Sequence, residues 1–306
     1  IQVSEADAFL GTISVAKKGI KDLTGIEAFT SLKKLDCNNN ELTELDLSAN
    51  TNLKTLKCSY NKLTKLDIAG MTALKTLFCE GNLLTSFTVP ENSILERLDI
   101  GFNQLTQLNV SYGTALTSIK CTKNQLSEVD LSENGELTSF NCENNQFTSI
   151  DISNNPKLKY LKCITNQLTT INTANNPNLE TIICTSNNIA TLDLSNNPVL
   201  ESLKCAENNL TSLKVSSNPN LETLGCHDNN ITSLDLSKNQ KLERVSCYRN
   251  NLTSLNMANG ANGNISKFIA HSNPSLTCIS VDDPASSDEN WSNGKDESTE
   301  FATTCE

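Results

Sequence analysis

Ten of the twelve cysteines fall in one register: Cys37, Cys58, Cys79, Cys121, Cys142, Cys163, Cys184, Cys205, Cys226 and Cys247. Each interval is 21 residues except one of 42, where Ile100 fills the missing place. Thiols in such a column could in principle hold metal, pair as disulfides or cycle redox equivalents. Neighbouring side chains of a parallel ladder point the same way, which is poor disulfide geometry. The clustered C-x-x-C spacing of zinc sites is absent. A free cysteine otherwise behaves as a small hydrophobe suited to a narrow core. The column is therefore expected to pack, with no metal and no cofactor. A second column is acidic: Asp46, Asp67, Asp130, Asp151, Asp193 and Asp235. Calcium-binding β-rolls repeat Asp within Gly-rich nonapeptides, which are missing here, so turn chemistry on a solvated face is expected. His227 and His271 are the only histidines, and no nucleophile motif flanks either. The expectation is no catalytic residue, and no enzyme.

The elements that position these columns come from the repeat itself. Eleven units start at Leu32, Leu53, Leu74, Leu95 and onward to Leu242 without insertion or deletion. They share L-x-x-L-x-C-x-x-N-x-L-T-x-L-D-L-S-x-N-x-x. Positions 4 and 6 are apolar between variable neighbours, the period-2 signature of a strand with one buried side. Stacked copies make a parallel, in-register sheet. Position 9 is Asn in every unit: Asn40, Asn61, Asn82, Asn103, Asn124, Asn145, Asn166, Asn187, Asn208, Asn229 and Asn250. There the chain turns inward, and an amide can donate to and accept from backbone groups that a buried turn leaves unpaired. Positions 14 and 16 alternate again, and units often end in Asn-Asn-Pro, as at 154–156 and 196–198, which favours turns and excludes a helix. The return half of each unit is thus read as short extended segments. At ~4.8 Å per strand the array would run roughly 55 Å.

Composition narrows the function classes. The 306 residues carry a net charge of −11, which argues against general affinity for nucleic acid or an anionic membrane. No apolar run approaches the ~18 residues of a membrane helix, so no membrane insertion is expected. Residue 1 is Ile, and the N-terminus lacks a signal-peptide pattern. Aromatic residues are only 5% of the chain, so the core must be built from Leu and Ile.

The first eleven positions match the leucine-rich-repeat core L-x-x-L-x-L-x-x-N-x-L, with Cys for the third Leu. The whole 21-residue unit resembles the repeats of bacterial secreted and cell-surface proteins of the internalin type, over residues 10 to 281. The resemblance implies a mainly β solenoid with a concave parallel sheet, convex extended segments, and little helix outside an N-terminal cap. It divides the chain into a cap and degenerate first repeat (1–31), eleven repeats (32–262), and a degenerate last repeat with a C-terminal cap (263–306). Ser4 is a candidate N-cap of a capping helix. Residues 1–5 also resemble the end of an EF-hand loop, but its earlier carboxylates are absent and no calcium site is expected. At the other end Trp291 and Phe301 suit a lid, and Cys278 and Cys305 stand where relatives carry a bridged pair.

The same resemblance points to the exposed strand positions 3, 5, 7 and 8 as the partner-binding surface. Most are Thr, Ser, Lys or Asn. Tyr160, Ile164 and Ile183 form one apolar cluster; Tyr60, Phe78 and Phe102 form a looser one; Tyr248 lies beside His227 and Arg249. Position 2 drifts from Lys33, Lys54 and Lys75 to Glu180, Glu201, Glu222 and Glu243. The expected function is a monomeric, non-enzymatic interaction module, extracellular or on the cell surface after loss of a signal peptide, binding a protein or glycan through the concave face. The alternative is a structural spacer without a ligand of its own, which the regular Thr- and Ser-rich strand face favours.

Overall fold

The structure, a computed structural model, describes residues 3–305. It forms two compact units, 1–147 and 148–306, each a stack of parallel coils of the leucine-rich-repeat type. In the first unit the strands Thr12–Ser14, Lys34–Asp36, Thr55–Lys57, Thr76–Phe78, Arg97–Asp99, Ser118–Lys120 and Ser139–Asn141 pair in that order, all parallel. In the second, Tyr160–Lys162, Thr181–Ile183, Ser202–Lys204, Thr223–Gly225, Arg244–Ser246 and Lys267–Ile269 do the same. Each strand is three residues long, with the central side chain buried from Lys34–Asp36 onward. The register equals the repeat: Leu35 pairs with Leu56, and Leu203 with Leu224. Any slip of one residue would turn the apolar rung outward.

The core is the stack of positions 1, 4, 6, 11, 14 and 16. Leu200, Leu203, Cys205 and Leu210 are wholly buried and Val215 nearly so. The return segments are extended, but only some pair as strands. Ser86–Thr88 joins Gln107–Asn109 in the first unit. Ser233–Asp235, Ser254–Asn256, Cys278–Ser280 and Glu300–Ala302 form a four-stranded sheet in the second. Elsewhere the return side is made of short extended segments and turns with little ladder pairing.

At the N-terminus a helix spans Val3–Asp7. The cap candidate Ser4 falls within it, and Ile1 and Gln2 of the EF-hand-like tail lie outside the described residues. At the C-terminus the last rung is covered. Trp291 stacks on Phe268 at 4.9 Å between ring centroids and meets Phe301 edge-on at 6.1 Å. The helix Pro284–Trp291 that delivers the tryptophan is capped by Asp283, whose carboxylate accepts from the Ala285 and Ser286 N–H groups. A disulfide joins Cys278 to Cys305 with Cα atoms 5.8 Å apart, tying the strand Glu300–Ala302 to the last turn.

Candidate binding face

The strand-face side chains are aimed by a turn that repeats in every coil. Position 8 is left-handed throughout: Asn39, Tyr60, Gly81, Phe102, Lys123, Asn144, Thr165, Ser186, Glu207, Asp228 and Arg249 all have φ between 50° and 68°. Position 9 then locks the turn. Asn208 shares its amide protons among the carbonyls of Cys184, Cys205 and Ala206 at 3.0, 3.1 and 2.9 Å. Its Oδ1 accepts from Ile189 N–H of the preceding coil at 2.9 Å. Asn61, Asn82, Asn103 and Asn229 repeat the pattern. At the degenerate first coil Asn40 accepts from Lys18 and Ile20 N–H instead.

In the first unit this turn presents Tyr60 and Phe102, 46% and 41% exposed. Tyr60 lies across Gly81, where a Cβ would come within 2.5 Å of the ring, so only glycine admits it there. Its hydroxyl donates to Glu80 Oε1 at 2.7 Å. Lys120 Nζ bridges Glu80 and Asp99 at 2.8 and 2.9 Å. Burial pushes the Asp99 carboxyl above its usual range, opposed by Lys120. Burial acts on Glu80 the same way, but Lys120 and the Tyr60 hydroxyl outweigh it and hold that carboxyl low. Lys123 Nζ stands 4.7 Å from the Phe102 ring and Lys57 Nζ 5.7 Å from that of Phe78, which is half-buried. The patch is thus a set of rings beside an internally paired charge network of one lysine and two carboxylates.

In the second unit Tyr160 and Ile183 lie on adjacent strands, and the register sets Ile183 beside Lys162, midway in sequence between Tyr160 and Ile164, which follows the strand end. All three are half-buried. The third cluster is larger than the sequence indicates. The Tyr248 ring stacks on His227 at 4.3 Å with planes 7° apart, and on His271 at 5.3 Å. Both histidines of the chain therefore flank one tyrosine. His227 Nδ1 lies 2.9 Å from Asp228 Oδ2, and Arg249 approaches the same carboxylate at 3.5 Å.

The ladder thiols are buried and unbridged. Burial drives the pKa up at Cys58, Cys79, Cys163, Cys205 and Cys226, and to about 12 at Cys37, Cys121, Cys184 and Cys247, so thiolate chemistry is suppressed there. Each aspartate of the acidic column accepts from the backbone N–H two residues on, Asp46 from Ser48 and Asp193 from Ser195 among them. These are Asx-turns, and the bonds hold the Asp46, Asp151 and Asp193 carboxyls low. No cluster of three or more metal-ligating side chains occurs among the described residues.

A further buried column escaped the sequence reading. Position 19 carries Asn50, Asn134, Asn155, Asn176, Asn197, Asn218 and Asn239, all fully buried. Asn218 Nδ2 donates to the Leu194 and Asn197 carbonyls of the preceding coil at 3.1 and 2.9 Å. The oxygens of Asn50, Asn176, Asn218 and Asn239 have no hydrogen-bond partner among the described residues. Asn197 differs, because Thr173 replaces the usual aliphatic residue and donates to its Oδ1 at 2.8 Å.

A family model for the leucine-rich-repeat domain of endo-beta-N-acetylglucosaminidase EndoS matches residues 2–103. No curated protein matches the chain in sequence. Among solved structures, the functional domain of InlJ from Listeria monocytogenes, which includes a cysteine ladder, is 30% identical with a TM-score of 0.80, covering 91% of this chain and 69% of that one. The Leptospira interrogans leucine-rich-repeat protein LIC12759 shares 21% identity and a TM-score of 0.75 over 93% and 81% of the two chains. The Listeria internalin InlF shares 20% and 0.68 over 100% and 90%. With the 21-residue unit, the thiol ladder and this degree of identity, the chain belongs to the internalin-like family of leucine-rich-repeat proteins.

Proposed function

We propose that this protein is a non-enzymatic interaction module, outside the cell or on its surface, that holds a protein or glycan partner against its strand face. The observation that carries the reading is the placement of Tyr60 and Phe102. Both are exposed aromatics at left-handed positions, φ 55° and 52°, where Asn39, Gly81 and Asn144 fit without strain. A left-handed non-glycine residue costs ~1–2 kcal/mol, and bulky ones are genuine outliers. Strain of this kind persists where recognition benefits from it. Aromatic anchors ringed by polar groups are also the usual concentration of interface energy. Tyr160, Ile164 and Ile183 supply a second, flatter apolar area.

The test is capture of purified extracellular proteins and arrayed glycans by the parent, by Tyr60→Ser with Phe102→Ser, and by Tyr160→Ser, Ile164→Ser and Ile183→Ser together. The parent should retain a partner that the first variant loses by at least tenfold, with folding unchanged. Equal capture by both variants would remove the strand face from the reading. A parent that captures nothing across broad sets would favour the spacer, which the Thr- and Ser-rich remainder of the face supports.

A further inference from the structure

The strand-face turn recurs once per coil, so side chains at position 8 form a column with a ~4.8 Å step. Tyr60 and Phe102 hold that column two coils apart, ~9.6 Å, with Gly81 between them. Tyr60 is held from two sides: its ring lies across Gly81, and its hydroxyl donates to Glu80. Phe102 is flanked by Lys123. Both rings are exposed, so each offers apolar surface without rearrangement. A ligand that meets both must be extended along the array. A β-1,4-linked pyranose chain advances by about one coil per residue and turns the same face outward at every second residue. Two rings two coils apart therefore meet like faces of alternate sugars.

The surroundings hydrogen-bond without selecting a charge. In the six coils that start at Leu32 through Leu137, strand positions 3, 5, 7 and 8 carry Lys34, Lys57, Arg97, Lys120 and Lys123. Against these five bases stand four acids, Asp36, Glu80, Asp99 and Glu143, a balance within one charge. Beside the rings, Glu80, Asp99 and Lys120 are tied to one another at 2.8 and 2.9 Å, which fixes their direction. Carboxylate oxygens there accept from hydroxyls, and the ammonium donates to them. A protein segment would need a different surface: a continuous apolar groove for a helix, or an open sheet edge for a strand. Gly81 interrupts the apolar column, and the strands Thr55–Lys57, Thr76–Phe78 and Arg97–Asp99 are paired on both sides. Separated rings beside a charge-balanced, hydrogen-bonding network match the C–H face and hydroxyl edge of a neutral sugar.

We propose that the partner of the Tyr60–Phe102 face is a neutral β-1,4-linked glycan lying along the array, with alternate pyranoses on the two rings and hydroxyls on Glu80, Asp99 and Lys120. The proposal rests on the strand-face reading and narrows its partner to one class. The test is calorimetric titration of the full chain with β-1,4-linked hexamers of glucose, mannose and N-acetylglucosamine. Maltohexaose, α-1,4-linked and curved, is the control. At least one β-linked hexamer should bind, with its own disaccharide and maltohexaose weaker by at least about tenfold, since neither reaches both rings. Tyr60→Ser and Phe102→Ser should each weaken binding by a similar factor, as loss of a main anchor does. Phe102→Ser with Lys123→Phe keeps two rings but sets them three coils apart, over opposite sugar faces, and should not recover binding. Circular dichroism checks that each variant is folded. Binding of no β-linked hexamer, equal binding of maltohexaose or the disaccharide, or recovery by the displaced ring would overturn the proposal. If no hexamer binds but an extracellular protein is captured by the parent and lost by Tyr60→Ser with Phe102→Ser, the glycan fails and the strand-face reading stands. If that double variant keeps every partner, both fail.

Discussion

The coil from Leu200 contains two buried asparagines that face opposite turns, and they are bonded very differently. Asn208, at the turn off the strand face, uses both ends of its amide. Asn218, ten residues on in the same coil, uses only its nitrogen, and its oxygen is buried without a partner. Burying a polar atom unpaired costs free energy, whereas a fully satisfied one stabilises modestly. The strand-face turn is accordingly the rigid side of the coil and the return turn the tolerant one. This explains where the sequence varies: Met71 and Gly113 stand at position 19, while position 9 is Asn in all eleven units.

The largest effect should come from Asn208→Leu. It leaves the Ile189 N–H unpaired, at ~1–3 kcal/mol for an unsatisfied group, and takes one of two donors from the Cys184, Cys205 and Ala206 carbonyls, so a loss of about 3 kcal/mol is expected in urea unfolding. Asn145→Leu, whose neighbours are the Cys121, Cys142 and Glu143 carbonyls and Leu126 N–H, should lose somewhat less, since Asn145 is only half-buried. A urea midpoint unchanged from the parent for either variant would refute the locking role of the column.

Asn218→Leu should cost much less, about 1–2 kcal/mol. It takes one of two donors from the Leu194 and Asn197 carbonyls, which keep the Asn197 and Leu200 N–H groups, and it removes an oxygen that had nothing to accept. The contrast within one coil is the sharp measurement, because burial and substitution are alike. Equal losses at positions 208 and 218 would mean that the missing bond carries no weight.

How much of this was legible follows from residue identity. Position 9 is visible because one residue type recurs without exception, and the strands because Leu35, Leu56 and Leu77 alternate with polar neighbours. Position 19 was hidden because its Asn sits beside a second Asn or Ser and often before Pro, as at Asn176-Pro177, a pattern that reads as an exposed turn. The left-handed position 8 was hidden for the opposite reason: Tyr60, Thr165 and Arg249 there have no common signature, since the neighbouring Asn imposes the conformation. The stack of His271 on Tyr248 was out of reach because the 23-residue spacing breaks the register that links Tyr248 to His227. The incomplete strand pairing of the return side depends on coil-to-coil spacing, which no single repeat encodes.

Thr173→Val offers a finer cut through the return column. It should leave the Asn197 oxygen in the state of its column-mates while keeping the side-chain volume. A loss of ~1 kcal/mol is expected from the single hydrogen bond. An unchanged midpoint would show that the Thr173 hydroxyl does nothing for Asn197.

The smallest effects, and the only ones of opposite sign, concern position 8. If the Asn lock forces Phe102 and Thr165 into the left-handed region, then replacing either with Asn relieves strain. A gain of about 0.5–1 kcal/mol is expected for Thr165→Asn, since β-branched residues tolerate this conformation poorly. Phe102→Asn should gain less, because the contact with Lys123 is lost at an exposed site. The two variants separate strain from purpose. Thr165 lies on the same turn of a coil without an exposed aromatic there, so its relief should leave partner capture intact. Relief at Phe102 should raise stability and weaken capture together, the signature of a residue kept against its own conformational preference. Were Phe102→Asn to stabilise the protein without touching capture, the ring would be an accident of the turn, and the strand-face reading would rest on Tyr160, Ile164 and Ile183 alone.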